Sequence, residues 1–328
     1  MTPVSRQIAF VVDLNKCLGC QACTMACKRL WTSDRGQDLM YWCNVETAPG
    51  EGYPRRWAER GGGFRDGLPV RGHAPAVEDY GVAYQFDYQA RLFEGQRQRI
   101  RPQPLGEWSA NWDEDQGRGD YPNSYFFYLP RMCNHCTRPA CAEACPRDAI
   151  SKRPEDGLVV IDPDRCDGDG RCVAACPYGK VFLNPLTRVA GKCLGCFPLL
   201  ERGRAPACAA QCSGRAIHVG RLGDALSSVH QLVFSWKVAL PLRPDFGTRP
   251  NVFYVPPFLG PEMEGPNGAA NASPRIPESY LVEQFGPAAR TALATLRAEQ
   301  AKRQRGEASR LMELLIAHRA ADLLGTIA

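Results

Sequence analysis

The chain has 328 residues, 44% hydrophobic and 23% charged, an ordinary globular composition that is long enough for two or more compact units. No stretch approaches the roughly 18 uninterrupted apolar residues of a membrane-spanning helix, so direct insertion into a bilayer is not expected. The formal charge of +5 counts all 16 cysteines as neutral and by itself supports no polyanionic partner, while 31 glycines and 27 prolines fit a loop-rich chain.

The N-terminal stretch MTPVSRQIAFVVDLNKC lacks an apolar h-region and has one arginine, so neither a Sec nor a twin-arginine leader is expected. Residues 6–13 (RQIAFVVD) read as a strand that leads into a first cysteine group, Cys17, Cys20, Cys23 and Cys27. Between Trp31 and Leu129 only Cys43 interrupts a long segment. It contains GGGFRDG and the aromatic-rich YGVAYQFDYQARLF and YPNSYFFYLP. That segment reads either as an inserted lobe that insulates metal sites or contacts a partner, or as a satellite core.

A second group follows, Cys133, Cys136, Cys141 and Cys145, and ends in Pro146. Residues 157–162 (GLVVID) repeat the strand device before a third group, Cys166, Cys172 and Cys176, which ends in Pro177 and has Asp169 where a fourth cysteine is expected. The fourth group is Cys193, Cys196, Cys208 and Cys212, with an exit strand at 216–221. From Pro241 to Pro274 the chain is rich in Pro, Gly and Asn and is expected to run over the surface. Residues 278–300 and 307–319 have helical spacing. Leu281, Phe285, Leu293 and Leu296 share one face, and Leu311, Leu314, Leu315 and His318 another. This tail either embraces a partner or packs on its own chain.

Runs of cysteines two or three residues apart, twice closed by Cys-Pro, are the iron–sulfur form, in which the last cysteine of one run ligates the cluster of the other. Zinc sites close on two C-x2-C pairs and fit less well. Disulfides are disfavoured by cysteines three apart in a large chain without a leader. Cys43 lies outside every group and reads as a small buried hydrophobe. Cluster ligands are thiolates, and each oxidised site carries −2, so four sites bring the holo charge to roughly −3. The nucleic-acid reading falls with that sum. Lys16, Lys28, Lys152, Arg165, Arg171 and Lys192 sit beside ligands and fit compensation of buried negative charge, against a solvated-surface reading for about half of them.

Prolines after Cys145 and Cys176, but not after Cys27 or Cys212, pair groups two and three and groups one and four. Exchange of the last cysteine then gives Cys17, Cys20, Cys23 with Cys212; Cys193, Cys196, Cys208 with Cys27; Cys133, Cys136, Cys141 with Cys176; and Cys166, Cys172 with Cys145. Three thiolates at the last site favour a [3Fe-4S] core. Asp169 is a possible though harder extra ligand. The fold class expected is α+β: one double-cluster ferredoxin module from residues 1–30 and 186–222, an inserted lobe at 31–128, a second module at 129–185, and surface loops with a helical partner-docking tail at 223–328.

The stretches DLNKCLGCQACTMACK, QDLMYWCNVET, GYPRRW, NWDEDQG, FFYLPRMCNHCTRPACAEACP and PNVFYVPP extend the resemblance over nearly the whole chain. It is similar to the iron–sulfur beta subunits of molybdoenzymes of the dimethyl sulfoxide reductase family. Within that family it resembles the group of chlorate, selenate and perchlorate reductases, dimethyl sulfide dehydrogenase and ethylbenzene dehydrogenase. Nitrate reductase beta subunits are similar but longer, with tryptophan where this chain has Asp169, and dimethyl sulfoxide reductase beta subunits proper are shorter.

The resemblance implies three [4Fe-4S] clusters and one [3Fe-4S] with the ligands paired as above, a molybdopterin-containing catalytic alpha subunit, and a haem b gamma subunit. Electrons run from the haem through the Cys145 site and along the clusters to molybdenum, or back in a dehydrogenase. It also implies periplasmic export of the folded complex on the alpha subunit's twin-arginine signal, with a cytoplasmic site as the alternative. Alternative functions are the beta subunit of a nitrate or dimethyl sulfoxide reductase-like complex with a membrane quinol-oxidising anchor, a free polyferredoxin, and a zinc-stabilised binding module. No nucleophile–base pair, phosphate loop or nucleotide fingerprint marks the chain as catalytic by itself. His135 and His218 read as neighbours of the clusters or surface residues.

Overall fold

The computed structural model describes residues 6–81, 117–266 and 268–316. Its centre is a four-stranded sheet in the spatial order Ile217–Arg221, Ile8–Asp13, Val252–Val255, Leu240–Pro241. The first strand, IAFVVD, is buried on both faces, which suits its β-branched and aromatic residues. It pairs antiparallel with Ile217–Arg221 (Val12 opposite Ile217) and parallel with Val252–Val255 (Phe10 opposite Val252).

Alternation along this strand separates two cores. Ile8, Phe10 and Val12 face a core shared with Cys23, Cys27, Trp42, Leu129 and Tyr254. Ala9 and Val11 face a second core made with Val229, Leu232, Leu296, Leu311 and Leu315. The cysteine layer therefore lies on one face of the sheet, and much of the C-terminal tail covers the other.

Three expectations need correction. The Pro241–Pro274 stretch does not stay on the surface: its VFYV run becomes a buried central strand, because four apolar residues between turn-formers can fill the slot beside Ile8–Asp13. The helical stretch 278–300 is two helices, Glu278–Phe285 and Ala289–Gln304. Gly286 at φ 80° and Pro287 separate them, since proline supplies no N–H to continue the first. The ends of the expected inserted lobe belong to the main core: Cys43–Ala48 pairs antiparallel with Phe127–Met132, and Trp42, Tyr53, Trp57 and Phe127 are buried there. Most of YGVAYQFDYQARLF, and His318 of the tail, lie outside the described residues. Leu281, Phe285, Leu293, Leu296, Leu311 and Leu315 are all buried against this chain's own core.

Short two-stranded ribbons frame the cysteine loops. Ile150–Lys152 pairs with Val159–Ile161 between groups two and three, and Phe182–Leu183 with Ala190–Gly191 between groups three and four. The second ribbon straddles the boundary at 185/186 expected between the two modules.

Candidate metal centres: four cysteine sets

The first cysteine loop turns on Gly19 and Gln21, both at positive φ, and enters the helix Ala22–Trp31. That helix carries Cys23 and Cys27 one turn apart, so their sulfurs share a face. Gln21 clamps the loop to the neighbouring ribbon, donating to the Val45 carbonyl at 2.8 Å and accepting from the Val45 N–H at 3.2 Å. The same helix packs on the short helix Ala207–Ala210, which carries Cys208. Groups distant in sequence thereby meet.

The sulfurs fall into four neighbourhoods. Burial pushes the Cys17 thiol up to about 12, and the facing sulfurs of Cys23, Cys212 and Cys20 add to the rise. Burial raises Cys193 and Cys208 well above the ordinary thiol range, with Cys27 and Cys196 facing both. Burial likewise raises Cys141, which faces Cys176, Cys133 and Cys136. These four line one cavity together with Thr248 and Lys180. Cys172 is pushed up to about 12 by burial first and then by Cys166, Cys145 and Asp169. All 16 cysteines are free of disulfides.

The sets also touch in sequence: Cys208 faces Cys23 of the first set, and Cys193 faces Cys133 of the third. Cys141 and Cys172 share one apolar cluster that Cys145 and Cys166 pack against. The result is a row.

Several features of this geometry suit iron–sulfur cores. Buried thiolates are costly unless a metal neutralises them, and soft sulfur donors are the ligands such clusters select. Donors converge on the sulfurs: the N–H of His135 on Cys133 at 3.4 Å, of Gly195 on Cys193 at 3.3 Å, of Ala190 on Cys166 at 3.4 Å and of Ala216 on Cys212 at 3.2 Å. The Trp31 indole N–H reaches Cys196 Sγ at 3.3 Å. Two buried polar atoms beside the sulfurs, Asn134 Oδ1 and His135 Nε2, have no protein partner.

Among the described residues no three His, Cys, Asp or Glu side chains close on a single-ion site, as zinc with its ligands at about 2.0–2.3 Å would require. Asp169 is exposed; its Oδ2 pairs with the Arg171 guanidinium at 3.1 Å and its Oδ1 accepts the Arg171 N–H at 3.0 Å.

Several functional residues were not legible in the sequence. Cys43 is buried as read, but its thiol also donates to the Cys23 sulfur, the largest influence holding Cys23 below the ordinary thiol range. Of the six cations singled out, Lys192 is buried, Lys16, Lys28 and Lys152 are half-buried, and Arg165 and Arg171 are exposed. Lys180 and Arg131, each 1% exposed, lie outside the cysteine loops, where local spacing gives no sign of them.

Arg131 pairs with the buried Glu46 at 3.3 Å, lies 3.5 Å over the Trp57 ring, and donates to the Tyr178 carbonyl. Lys180 donates to Asn44 Oδ1. Burial pushes Lys180 down to about 8, Arg131 adds to this, and Glu46, Cys43 and Cys176 oppose it. Lys180 also faces Cys27, so one buried cation lies beside both the second and the third set. His135 and His218 are both 1% exposed, which overturns the surface reading for each. The signal that could have found His135 is its place between Cys133 and Cys136, inside a loop that must fold around its ligands.

Comparison with known proteins agrees with this geometry. Residues 124–222 match the model of a 4Fe-4S dicluster domain, spanning cysteine groups two to four. The chain is 56% identical to the perchlorate reductase beta subunit of Dechloromonas aromatica, over 99% of this chain and 97% of that one. It is 50% identical to the dimethylsulfide dehydrogenase beta subunit of Rhodovulum sulfidophilum, over 96% and 97%. It is also 50% identical to the selenate reductase beta subunit of Thauera selenatis, over 98% and 99%. The chain therefore belongs to the family of iron–sulfur, electron-transfer beta subunits of dimethyl sulfoxide reductase-family molybdoenzymes.

Proposed function

We propose that the chain holds three [4Fe-4S] clusters and one [3Fe-4S] cluster and relays electrons between a haem b gamma subunit and a molybdopterin-containing alpha subunit. The cubanes lie on Cys17, Cys20, Cys23 and Cys212; on Cys27, Cys193, Cys196 and Cys208; and on Cys133, Cys136, Cys141 and Cys176. The [3Fe-4S] core lies on Cys145, Cys166 and Cys172. The observation that carries this reading is the row of sulfur sets, in which Cys23 faces Cys208 and Cys193 faces Cys133. The clusters, when bound, supply the one-electron carriers. The chain's own residues hold them close together, exclude water with the core on the sheet's cysteine face, and offset their negative charge with Lys180 and Lys192.

Asp169 supports a three-thiolate fourth site, because both its oxygens are engaged by Arg171. The two ends of the row suit different neighbours. Around the exposed Cys20, Leu18 and Met25 present apolar surface of the kind a permanent partner covers, and we place the alpha subunit there. At the other end the loop of Asp162, Asp164, Asp167 and Asp169 is exposed and charged, and faces the gamma subunit. The complex works in the periplasm, carried there folded by the alpha subunit's signal, and substrate chemistry belongs to that subunit.

Iron analysis and EPR of the purified complex test the reading. About fifteen irons per chain beyond those of the haem and of the alpha subunit's own cluster, molybdenum in the same chromatographic peak, and a [3Fe-4S] signal in the oxidised state are expected. A zinc-loaded colourless protein, or a molybdenum-free monomer from the native host, overturns it.

A further inference from the structure

His135 sits between two cysteines of the third set, and of its own polar atoms all are engaged except one. Its backbone is held at φ 42°, a conformation a residue with a Cβ adopts only when its surroundings impose it. Those surroundings are specific. Its N–H points at Cys133 Sγ at 3.4 Å, and its carbonyl accepts from Asn251 Nδ2 at 2.8 Å and from Lys152 Nζ at 3.4 Å. The ring's Nδ1 accepts the Val159 N–H at 3.0 Å.

A ring nitrogen that accepts a backbone N–H carries no proton, so the imidazole proton is on Nε2. Lys152 and Lys192 face the ring. Nε2 is buried and has no protein partner, and a buried donor left unsatisfied is costly. The two ammonium groups beside the ring are themselves engaged: Lys192 donates to the Val159 and Cys193 carbonyls, and Lys152 to the Cys136 carbonyl.

The ring's place in the row follows from these bonds. The Val159 peptide gives its N–H to His135 and its carbonyl to Lys192, whose ammonium also reaches the Cys193 carbonyl at 3.2 Å. Cys193 in turn faces Cys133. Asn134 and Val159 line the cavity of the third set, and from the ring the bonds lead through the Val159 peptide and Lys192 to Cys193 of the second set.

We infer that His135 Nε2–H donates a hydrogen bond to a sulfur of the cluster held by Cys27, Cys193, Cys196 and Cys208, with Val159 fixing the tautomer. His135 is then a positioning residue that sets the potential of one interior carrier. A donor to sulfur stabilises the added electron, so it raises the reduction potential of that cluster. This inference rests on the ligand sets proposed above.

The test is an EPR-monitored redox titration of the intact complex. His135→Asn keeps an acceptor for the Val159 N–H and removes the donor at Nε2. It should lower the midpoint of a single [4Fe-4S] centre and leave iron content and the other three centres in place. Trp31→Phe labels that centre independently, because it removes the indole donor to Cys196, so both variants must move the same centre. His135→Gln, with an amide N–H near the Nε2 position, should restore part of the shift. Pulsed EPR of wild-type protein carrying 15N-histidine should show a nitrogen coupling on the same reduced centre.

Unmoved potentials in His135→Asn at full iron content, a shift confined to another centre, or no 15N coupling overturns the inference. If His135→Asn fails to assemble, His135→Gln is titrated in its place and the wild-type 15N coupling decides. Wild-type complex with fewer than four centres overturns the ligand sets instead, and this inference falls with them. Four centres with no effect at His135 overturns it alone.

Discussion

The interior of the row and its Asp169 end are built on opposite electrostatic principles. Around the second and third sets the charges are buried cations: Lys180, Lys192 and Arg131 are each 1% exposed, and their donors go to backbone carbonyls, Asn44 and Glu46. Around the last set the charges are exposed and mostly negative, with Asp162, Asp164, Asp167 and Asp169 on one loop and Arg171 paired to Asp169. Its backbone is nevertheless tightly held: Gly168 lies at φ 72°, and an added Cβ would come within 2.0 Å of the Arg188 carbonyl oxygen. Buried cations can compensate a buried negative cluster at full strength, because little water screens them. The loop charges are screened and serve contact and local shape more than stability. Charge thus does different work according to depth.

Three substitutions probe that contrast, in order of expected effect. Arg131→Ala leaves Glu46 buried and unpaired and removes the guanidinium from Trp57. It should cost about 3–5 kcal/mol of stability, seen as a large drop in the thermal unfolding midpoint, and an unchanged midpoint would mean that the interior does not depend on its ion pair. Lys180→Met removes a buried cation and leaves the buried Asn44 Oδ1 without its donor, so it should cost about 1–3 kcal/mol of stability, less than Arg131→Ala. It should also lower the potentials of the neighbouring clusters. Potentials that stay put would remove Lys180 from the charge balance.

Asp169→Cys acts on the exposed loop and should change stability by no more than about 0.5 kcal/mol. It should convert the three-thiolate site to a cubane, abolishing the oxidised-state [3Fe-4S] signal and adding about one iron per chain. A retained signal with unchanged iron would show that Asp169 does not mark the missing ligand position.

Much of this was readable from local spacing. The strands at 6–13, 157–162 and 216–221 appear as Ile8–Asp13, Val159–Ile161 and Ile217–Arg221, because each is a short β-branched run next to a cysteine loop. The buried strand Val252–Val255 was hidden by its Pro- and Gly-rich flanks, which describe the turns around it and not its own slot in the sheet. Arg131 was illegible for a related reason. It lies in an apolar strand and is tolerated only because its neighbours in space are Glu46, Trp57 and the Tyr178 carbonyl, the nearest of them 47 residues away in sequence.

By itself, then, the sequence determined the four cysteine groups and the departure at Asp169, because ligand spacing within a loop is a covalent constraint that survives any packing. Which sulfurs, cations and donors face one another was decided by tertiary structure. Packing Ala22–Trp31 on Ala207–Ala210 brings Cys27 to Cys193, Cys196 and Cys208, and pairing Cys43–Ala48 with Phe127–Met132 sets Arg131 beside Glu46 and places Cys43 against Cys23. The turn of His135 onto Val159 is of the same kind. Burial and charge complementarity depend on distance in space, and distance along the chain does not record it.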